Sequence, residues 1–305
     1  METKANKASG LRLAAVVAAF SGLCALAAEA PAATILQYGF DYTSGTVASN
    51  GNITDDSGTG NTGFARGANG GAYSSDIPSA GIRRFTTGIG SLQTTVAGNN
   101  NVATTSSNNT PINAGPSNPL DYADVWAAGG LTMEVWVKNG NGTAPRSSYA
   151  NALNWNSYYA INSNSTGASF YYLDPNQASQ SIDATFDKTA WHELAGVIVP
   201  HTSNLSSADM LFYVDGTLVG TLTNKNLSTY DLGRGVAVGG HPYANDMNRY
   251  EGLLYEPRVS LGALTPDQFM YGTAVAEDIP EPATMALLGF GIAGLGGYIR
   301  RRRTA

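Results

Sequence analysis

The chain has 305 residues, of which 13% are charged, with 36 Gly and 16 Tyr and a formal net charge of −6. Few charges among many Gly, Ser, Thr and Asn fit an all-β protein made for the outside of the cell and disfavour a cytosolic enzyme. Residues 34–278 hold 10 Lys and Arg against 20 Asp and Glu, 10 − 20 = −10, which leaves no overall electrostatic footprint for nucleic acid or anionic lipid.

Residues 1–33 read as a signal peptide. Lys4, Lys7 and Arg12 form a positive start, Leu13 to Ala28 an apolar stretch, and Ala25-x-Ala27 and Ala30-x-Ala32 two small-x-small cleavage sites. The alternative is a retained membrane helix, which the small residues crowding its end disfavour. Cys24 is the single cysteine and lies inside the apolar stretch, after Leu23 where lipidation needs a small residue. The mature chain would therefore hold no disulfide, thiolate metal site or cysteine nucleophile.

Residues 34–40 read as the first strand, and Asp41 to Ala80 as loops and short edge strands. Residues 86–119, mostly Thr, Ser, Asn, Gly and Pro, read as a low-complexity surface excursion. Leu131 to Lys138 gives the clearest strand: Leu131, Met133, Val135 and Val137 share one face, and Thr132, Glu134, Trp136 and Lys138 the other. Further strands are expected at 157–161, 169–173 and 191–199. Met210 to Thr221 reads as a hairpin around Asp215-Gly216, a pair suited to a tight turn with φ > 0. Strands at 235–240 and 252–260 come last. Thr265-Pro266-Asp267-Gln268 then opens a short helix with a capping box and Pro at its first position. Many short strands between turn signals predict an all-β, two-sheet antiparallel jelly-roll sandwich over residues 34–275.

The far end differs. Ile279-Pro280-Glu281-Pro282 leads into an uncharged, mostly apolar run from Met285 to Ile299, closed by Arg300, Arg301, Arg302 and Arg303. The run is barely long enough to span a bilayer, and four arginines favour the cytoplasmic side. Basic flanks at both termini place everything between them outside. Pro280-Glu281-Pro282, the apolar run and the arginine cluster resemble the PEP-CTERM sorting tail of Gram-negative bacteria, covering 279–303. The resemblance implies processing by an exosortase, a membrane transpeptidase-like enzyme, in organisms that make extracellular polysaccharide.

The central segments resemble, in order, the laminin-G-like, concanavalin A-like jelly roll of bacterial surface proteins. The resemblance rests on Tyr38-Gly-Phe-Asp41 with Asp55-Asp56-Ser57-Gly58, on Leu131 to Lys138, on Trp191-His192-Glu-Leu-Ala-Gly196, and on Phe212-Tyr-Val-Asp215-Gly216. Tyr250 to Val259, followed by Ala263-Leu264-Thr265-Pro266-Asp267, completes it. Fold alone does not decide between binder and hydrolase. Hydrolysis of a glycosidic bond needs two facing carboxylates, and jelly-roll hydrolases set theirs at Glu-x-Asp-x-Glu spacing on one strand face. No such triplet occurs, and Glu134 is alone on its strand. His192 reads as a packed or surface residue, and His201 and His241 as loop residues.

Calcium is the candidate cofactor. Asp41, Asp55, Asp56 and Asn61 offer the oxygen ligands a hard cation prefers. The resemblance adds a later ligand position, occupied here by Tyr255 with Glu256 next to it, so Glu256 joins the set. An Asp-capped turn is the alternative. Trp155, Tyr158, Tyr159, Tyr171, Tyr172 and Tyr243 are candidates either for stacking on sugars or for the core. The expected function is a non-catalytic, exported cell-surface or matrix protein that recognises or scaffolds polysaccharide or surface proteins, with a carbohydrate-active enzyme (glycoside hydrolase or lyase) as the alternative.

Overall fold

The computed structural model describes residues 32–46, 52–66, 71–94, 101–104, 113–115, 118–119, 122–139, 150–155, 159–174, 178–201, 204–227, 235–241 and 250–272. Residues 1–31 of the signal segment, the tail with Pro280, Glu281, Pro282 and the four terminal arginines, and Tyr158 and Tyr243 lie outside the described residues.

In chain order the strands are β1 (Ala33–Gln37), β2 (Asn52–Ile53), β3 (Gly63–Arg66), β4 (Ala72–Ser74), β5 (Ser91–Thr94), β6 (Asn101–Thr104), β7 (Asn113–Gly115) and β8 (Asn118–Pro119). After a short helix α1 (Tyr122–Ala127) come β9 (Leu131–Lys138), β10 (Ala150–Trp155), β11 (Tyr159–Ser163), β12 (Gly167–Leu173) and β13 (Ser179–Thr185). The last are β14 (His192–His201), β15 (Asn204–Val214), β16 (Thr217–Asn226), β17 (Val236–Val238) and β18 (Gly252–Leu261). The first sheet runs β16-β15-β14-β9-β18-β5-β4, with β1 also paired to β18, and the second runs β13-β12-β11-β10-β17-β6-β3-β2. The expected two-sheet sandwich is the fold observed.

The segment 86–119 corrects its reading as an excursion. It supplies β5 to the first sheet and β6 to the second, with β7 and β8 forming a small pair of their own. Ser91, Leu92 and Thr94 of β5 are buried. Strands of two to four residues carry too little alternation to be read. Their backbone groups are satisfied because β5 lies between β4 and β18, and β6 between β3 and β17. Helix α1 was also not anticipated, being too short to show a period. His201, expected in a loop, ends β14.

Leu131, Met133 and Val135 of β9 face the second sheet, where Phe170, Ile161, Leu153 and Val238 meet them in one buried cluster. Across this interface Phe170 stacks on Phe212 with ring centroids 6.2 Å apart. Gly196 of β14 lies so close that a Cβ there would sit 2.5 Å from the Phe170 ring. Gly196→Ala is therefore expected to lower stability by about 1–3 kcal/mol through overpacking, read as a shift of the urea midpoint at unchanged slope. An unchanged midpoint would contradict this packing.

The outer face of the first sheet is covered as well. The segment 263–272 lies across it as a strap. Leu264 and Phe269 pack on Ala195 and Val197, and Met270 and Tyr271 on Trp136 and Tyr255. Strand β9 is thus buried on both faces, and Thr132, Glu134 and Trp136 are all 0% exposed. The capping box at Thr265 and Gln268 fixes the turn Pro266–Gln268 within this strap. At the β15–β16 hairpin, Asp215 and Gly216 both take positive φ, 50° and 70°, as the sequence predicts.

Candidate functional site

At one rim of the sandwich, the end of β1 meets the loop 54–61, the loop 85–90 and a bulge in β18. The bulge lies where Tyr255 pairs with Trp136 and Arg258 with Glu134, so Glu256 and Pro257 together face one residue of β9. Glu256 takes φ 46°, which turns its carboxylate off the regular ladder and into the rim. Its Oε2 accepts from Gln37 Nε2 at 2.6 Å, and its Oε1 from Thr87 N at 2.5 Å, Thr87 Oγ1 at 3.2 Å and Gly88 N. Burial raises the Glu256 pKa, and these same donors oppose the rise.

Asp55 is filled. Its Oδ1 accepts from Gln37 N and Ser57 N, and its Oδ2 from Asn61 N and Thr59 Oγ1. Asn61 Nδ2 donates to the Ile35 carbonyl at 2.6 Å. This is the pattern of an Asp-capped turn pinned to β1. Asp56 Oδ2 accepts from Gly39 N at 3.0 Å and Thr87 Oγ1 at 3.1 Å, so one hydroxyl lies between the carboxylates of Asp56 and Glu256. Asp41 is exposed.

Of the five proposed calcium ligands, the structure brings Asp56 and Glu256 to one hydroxyl and commits Asp55 and Asn61 to closing the loop. Calcium takes six to eight oxygens. Among the described residues no group of three or more acidic, His or Cys side chains converges to hold a metal. The oxygens of Asp55, each met by hydrogen donors, do not fit a cation shell in this arrangement.

The aromatics chosen from the sequence mostly turn inward. Trp155, Tyr159 and Tyr172 are core residues, and Tyr171 is half-buried. An exposed ring that sequence reasoning missed is Tyr42, at 62% exposure. It rests on Tyr73 with centroids 5.1 Å apart and planes inclined at 38°, and Tyr73 in turn meets Phe40. Burial, then Tyr42 and the charge of Asp41, raise the Tyr73 pKa. Ile89, 57% exposed, follows Gly88 on a segment whose Gly90 N donates to the Phe40 carbonyl. The rim therefore offers a supported aromatic face, with the exposed Asp41 preceding Tyr42 in the chain. Alternation carried no signal for it, since Tyr42 shares the parity of the buried Tyr38 and Phe40 and lies beyond the end of β1.

A second group of charges lies under the strap. Glu134 Oε2 accepts from Arg258 Nε at 2.7 Å and Nη2 at 2.5 Å, and its Oε1 from Met270 N at 2.8 Å. Arg258 Nη2 also donates to the Gln268 carbonyl. On the next strand Glu193 pairs with Trp136 and so shares the face of Glu134. Glu193 is 0% exposed, and neither carboxyl oxygen has a hydrogen-bond partner. Burial, with the nearby Glu134 carboxylate, pushes its pKa well above the usual carboxylate range. The sequence showed Glu134 alone on its strand; the register supplies a second carboxyl from β14. Both lie in the interior, where no sugar reaches them.

The histidines have structural partners. His192 Nδ1 lies 2.7 Å from Asp215 Oδ2, and Nε2 2.9 Å from the Asp187 carbonyl. Burial works against its charge, but Asp215 and Asp187 outweigh it and raise the pKa. His201 Nε2 lies 2.9 Å from Asp209 Oδ1, with Ser207 Oγ 3.3 Å from Nδ1. This resembles a relay for a serine nucleophile, yet the Ser207 hydroxyl is donated to Asn224 Oδ1 at 2.5 Å and the residue is only 4% exposed. Attack on a substrate needs an exposed Oγ whose proton goes to the base.

A family model for the concanavalin A-like lectin/glucanases superfamily matches residues 114–269, and one for the PEP-CTERM protein-sorting motif matches residues 278–303. Among solved structures, the chain is similar to domain 4 of AbnA, a GH43 extracellular arabinanase from Geobacillus stearothermophilus, in complex with arabinotriose. Identity is 16% and the TM-score 0.47, over 78% of this chain and 97% of that one. It is also similar to the binding domain of botulinum neurotoxin DC in complex with SialylT, at 12% identity and TM-score 0.46, over 77% of this chain and 50% of that one. The same binding domain in complex with rat synaptotagmin II matches at 14% and 0.46, over 77% and 49%. The chain thus spans about half the length of the toxin chains. No curated protein matches.

Proposed function

Because the chain belongs to the concanavalin A-like lectin/glucanases superfamily and ends in a PEP-CTERM sorting motif, we propose that it is a non-catalytic recognition module, exported and sorted by an exosortase to the cell surface or matrix. Its ligand in this reading is a neutral saccharide of extracellular polysaccharide, taken at the rim. One observation carries the binding half: Tyr42 stands 62% exposed on Tyr73, and the exposed Asp41 precedes it in the chain. A ring held by a second ring stacks on a sugar face without first losing rotamer freedom, and a carboxylate accepts the sugar hydroxyls. The non-catalytic half is supported by the placement of Glu134 and Glu193, whose carboxyls are interior.

Affinity electrophoresis of the processed protein through gels containing soluble β-glucan, xylan or arabinan tests this. Retardation by at least one polysaccharide is expected, and Tyr42→Ala should abolish it with the thermal midpoint unchanged. Retardation that survives Tyr42→Ala places the ligand elsewhere, and release of reducing ends from the same panel would establish the enzyme reading instead. Repeating the gels with a chelator tests the calcium expectation, which predicts loss of binding.

For sorting, deletion of Pro280-Glu281-Pro282 is expected to leave the terminal arginines on envelope-bound protein, whereas the natural protein loses them. Fractionation with mass spectrometry of the mature C-terminus reads both. An intact arginine tail on the natural envelope-bound protein would overturn the assignment.

A further inference from the structure

Strands β13 and β16 end the two sheets on one side of the sandwich and lie against each other, Ile182 Cγ2 being 2.8 Å from where a Cβ on Gly220 would stand. An edge strand leaves alternate backbone groups unpaired, and proteins blunt such edges with charge, proline, bulges or shortness. At the opposite ends of the two sheets, β4 has three residues and β2 has two. Strand β16 is long, but its register against β15 shifts twice, between Ala208 and Met210 and between Phe212 and Tyr213, and Asn224 takes φ 54°. Strand β13 carries none of these devices. Ser179 to Thr185 pair with β12 without a shift, contain no proline and hold one charge, Asp183.

The ladder also fixes which groups point outward. Phe186 N donates to the Thr166 carbonyl and Asp174 N to the Ala178 carbonyl, so in this antiparallel pair the even-numbered residues of β13 bond to β12. The N–H and C=O of Ser179, Ser181, Asp183 and Thr185 therefore face away from β12, and all four residues are exposed. Their side chains are small and polar, and Ser181 Oγ donates to Asp183 Oδ2 at 3.3 Å. Beside them, next to Gly220 on β16, stand two exposed aliphatic side chains, Leu218 at 49% and Val219 at 40%.

This row is complementary to itself. When two such strands run antiparallel about a two-fold axis at Ile182, Ser179 meets Thr185 of the second copy and Ser181 meets its Asp183. All four outward residues are then used, and each carboxylate lies opposite a hydroxyl, with no like charges face to face. An axis at Ser181 leaves Thr185 out of the ladder, and one at Asp183 opposes two carboxylates. We propose that β13 pairs with β13 of a second copy about the axis at Ile182, joining the second sheets of the two copies into one continuous sheet. The contact is isologous, each copy giving and receiving the same groups. Seven residues span about 24 Å, and two packed sheets with their side chains are about 20 Å deep, so the contact covers roughly 500 Å² per copy. That lies at the small end of specific interfaces, and a dissociation constant on the order of tens of micromolar is expected.

Sedimentation equilibrium of the full chain in mild detergent, from about 1 to about 200 µM, reads the association. Ser181 is exposed and its backbone groups are not used by β12, so substitutions there keep the fold, which an unchanged thermal midpoint verifies. Ser181→Asp sets two carboxylates opposite two others and should weaken the dimer at least tenfold. Ser181→Lys sets an ammonium opposite each Asp183 and should tighten it about fivefold. Opposite responses to these two variants are the signature of this register. A natural chain that stays monomeric throughout the range overturns the proposal. So does a dimer that responds alike to both variants, which is the result that association through the apolar tail, or through any other face, would give.

Discussion

Replacing Arg258 by Met is expected to cost the domain about 3–5 kcal/mol, because Glu134, 0% exposed, is left as a buried charge without its cation. The damage should be local at first. Glu134 also accepts from Met270 N, and Arg258 donates to the Gln268 carbonyl, so the pair ties the strap to the sheet at two points. Urea unfolding should show the lower midpoint, and limited proteolysis should find earlier cleavage within 263–272. The double change Glu134→Leu with Arg258→Met removes both charges and should recover most of the loss. A double variant as unstable as Arg258→Met alone would mean that the strap depends on these hydrogen bonds and not on charge balance.

Glu193→Gln should stabilise the protein increasingly as pH rises. The Glu193 pKa is raised well above 4.5 by burial and by Glu134. Below the unfolded value, both states hold the proton and nothing is lost. Above it, the unfolded chain releases a proton that the folded chain keeps, so stability falls by about 1.4 kcal/mol per pH unit until the folded group itself titrates. The amide removes that slope. His192, also raised, loses its contribution in the same direction from its ordinary value near 6.5 upward, so the difference between wild type and Glu193→Gln isolates the carboxyl. Denaturant midpoints from pH 5 to 9 measure it. Parallel pH profiles for the two proteins would show that Glu193 is ionised in the fold.

Much of this fold could be read from residues, and the failures have physical causes. Leu131 to Lys138 announced a strand by alternation, and Asp215-Gly216 a turn by its need for positive φ. What alternation could not show is that both faces of β9 are covered, since the strap comes from more than 120 residues later. The same blindness hid Glu193 from Glu134, because only the register of β14 against β9 sets them on one face. Segment 86–119 was misread because its strands draw their order from neighbours and not from their own composition. At the rim, proximity of Asp55, Asp56 and Glu256 was expected. Their occupation by backbone amides of Gln37, Gly39 and Thr87 was not, since amide direction follows from loop geometry. Tyr42 was passed over for tyrosines in stronger strands, where burial is the rule.

Strand β18 joins the two ends of the sandwich. Its last residues pair with Ala33 to Gln37, so Thr34 and Ser260 lie side by side across 226 positions of sequence. In the export proposed above, a chain threaded outward from its N-terminus holds its first strand without a partner until β18 has also crossed. Contacts so distant in sequence also form slowly. On that proposal the closure of β1 against β18 comes after translocation, and until then both strands present unpaired edges to their surroundings.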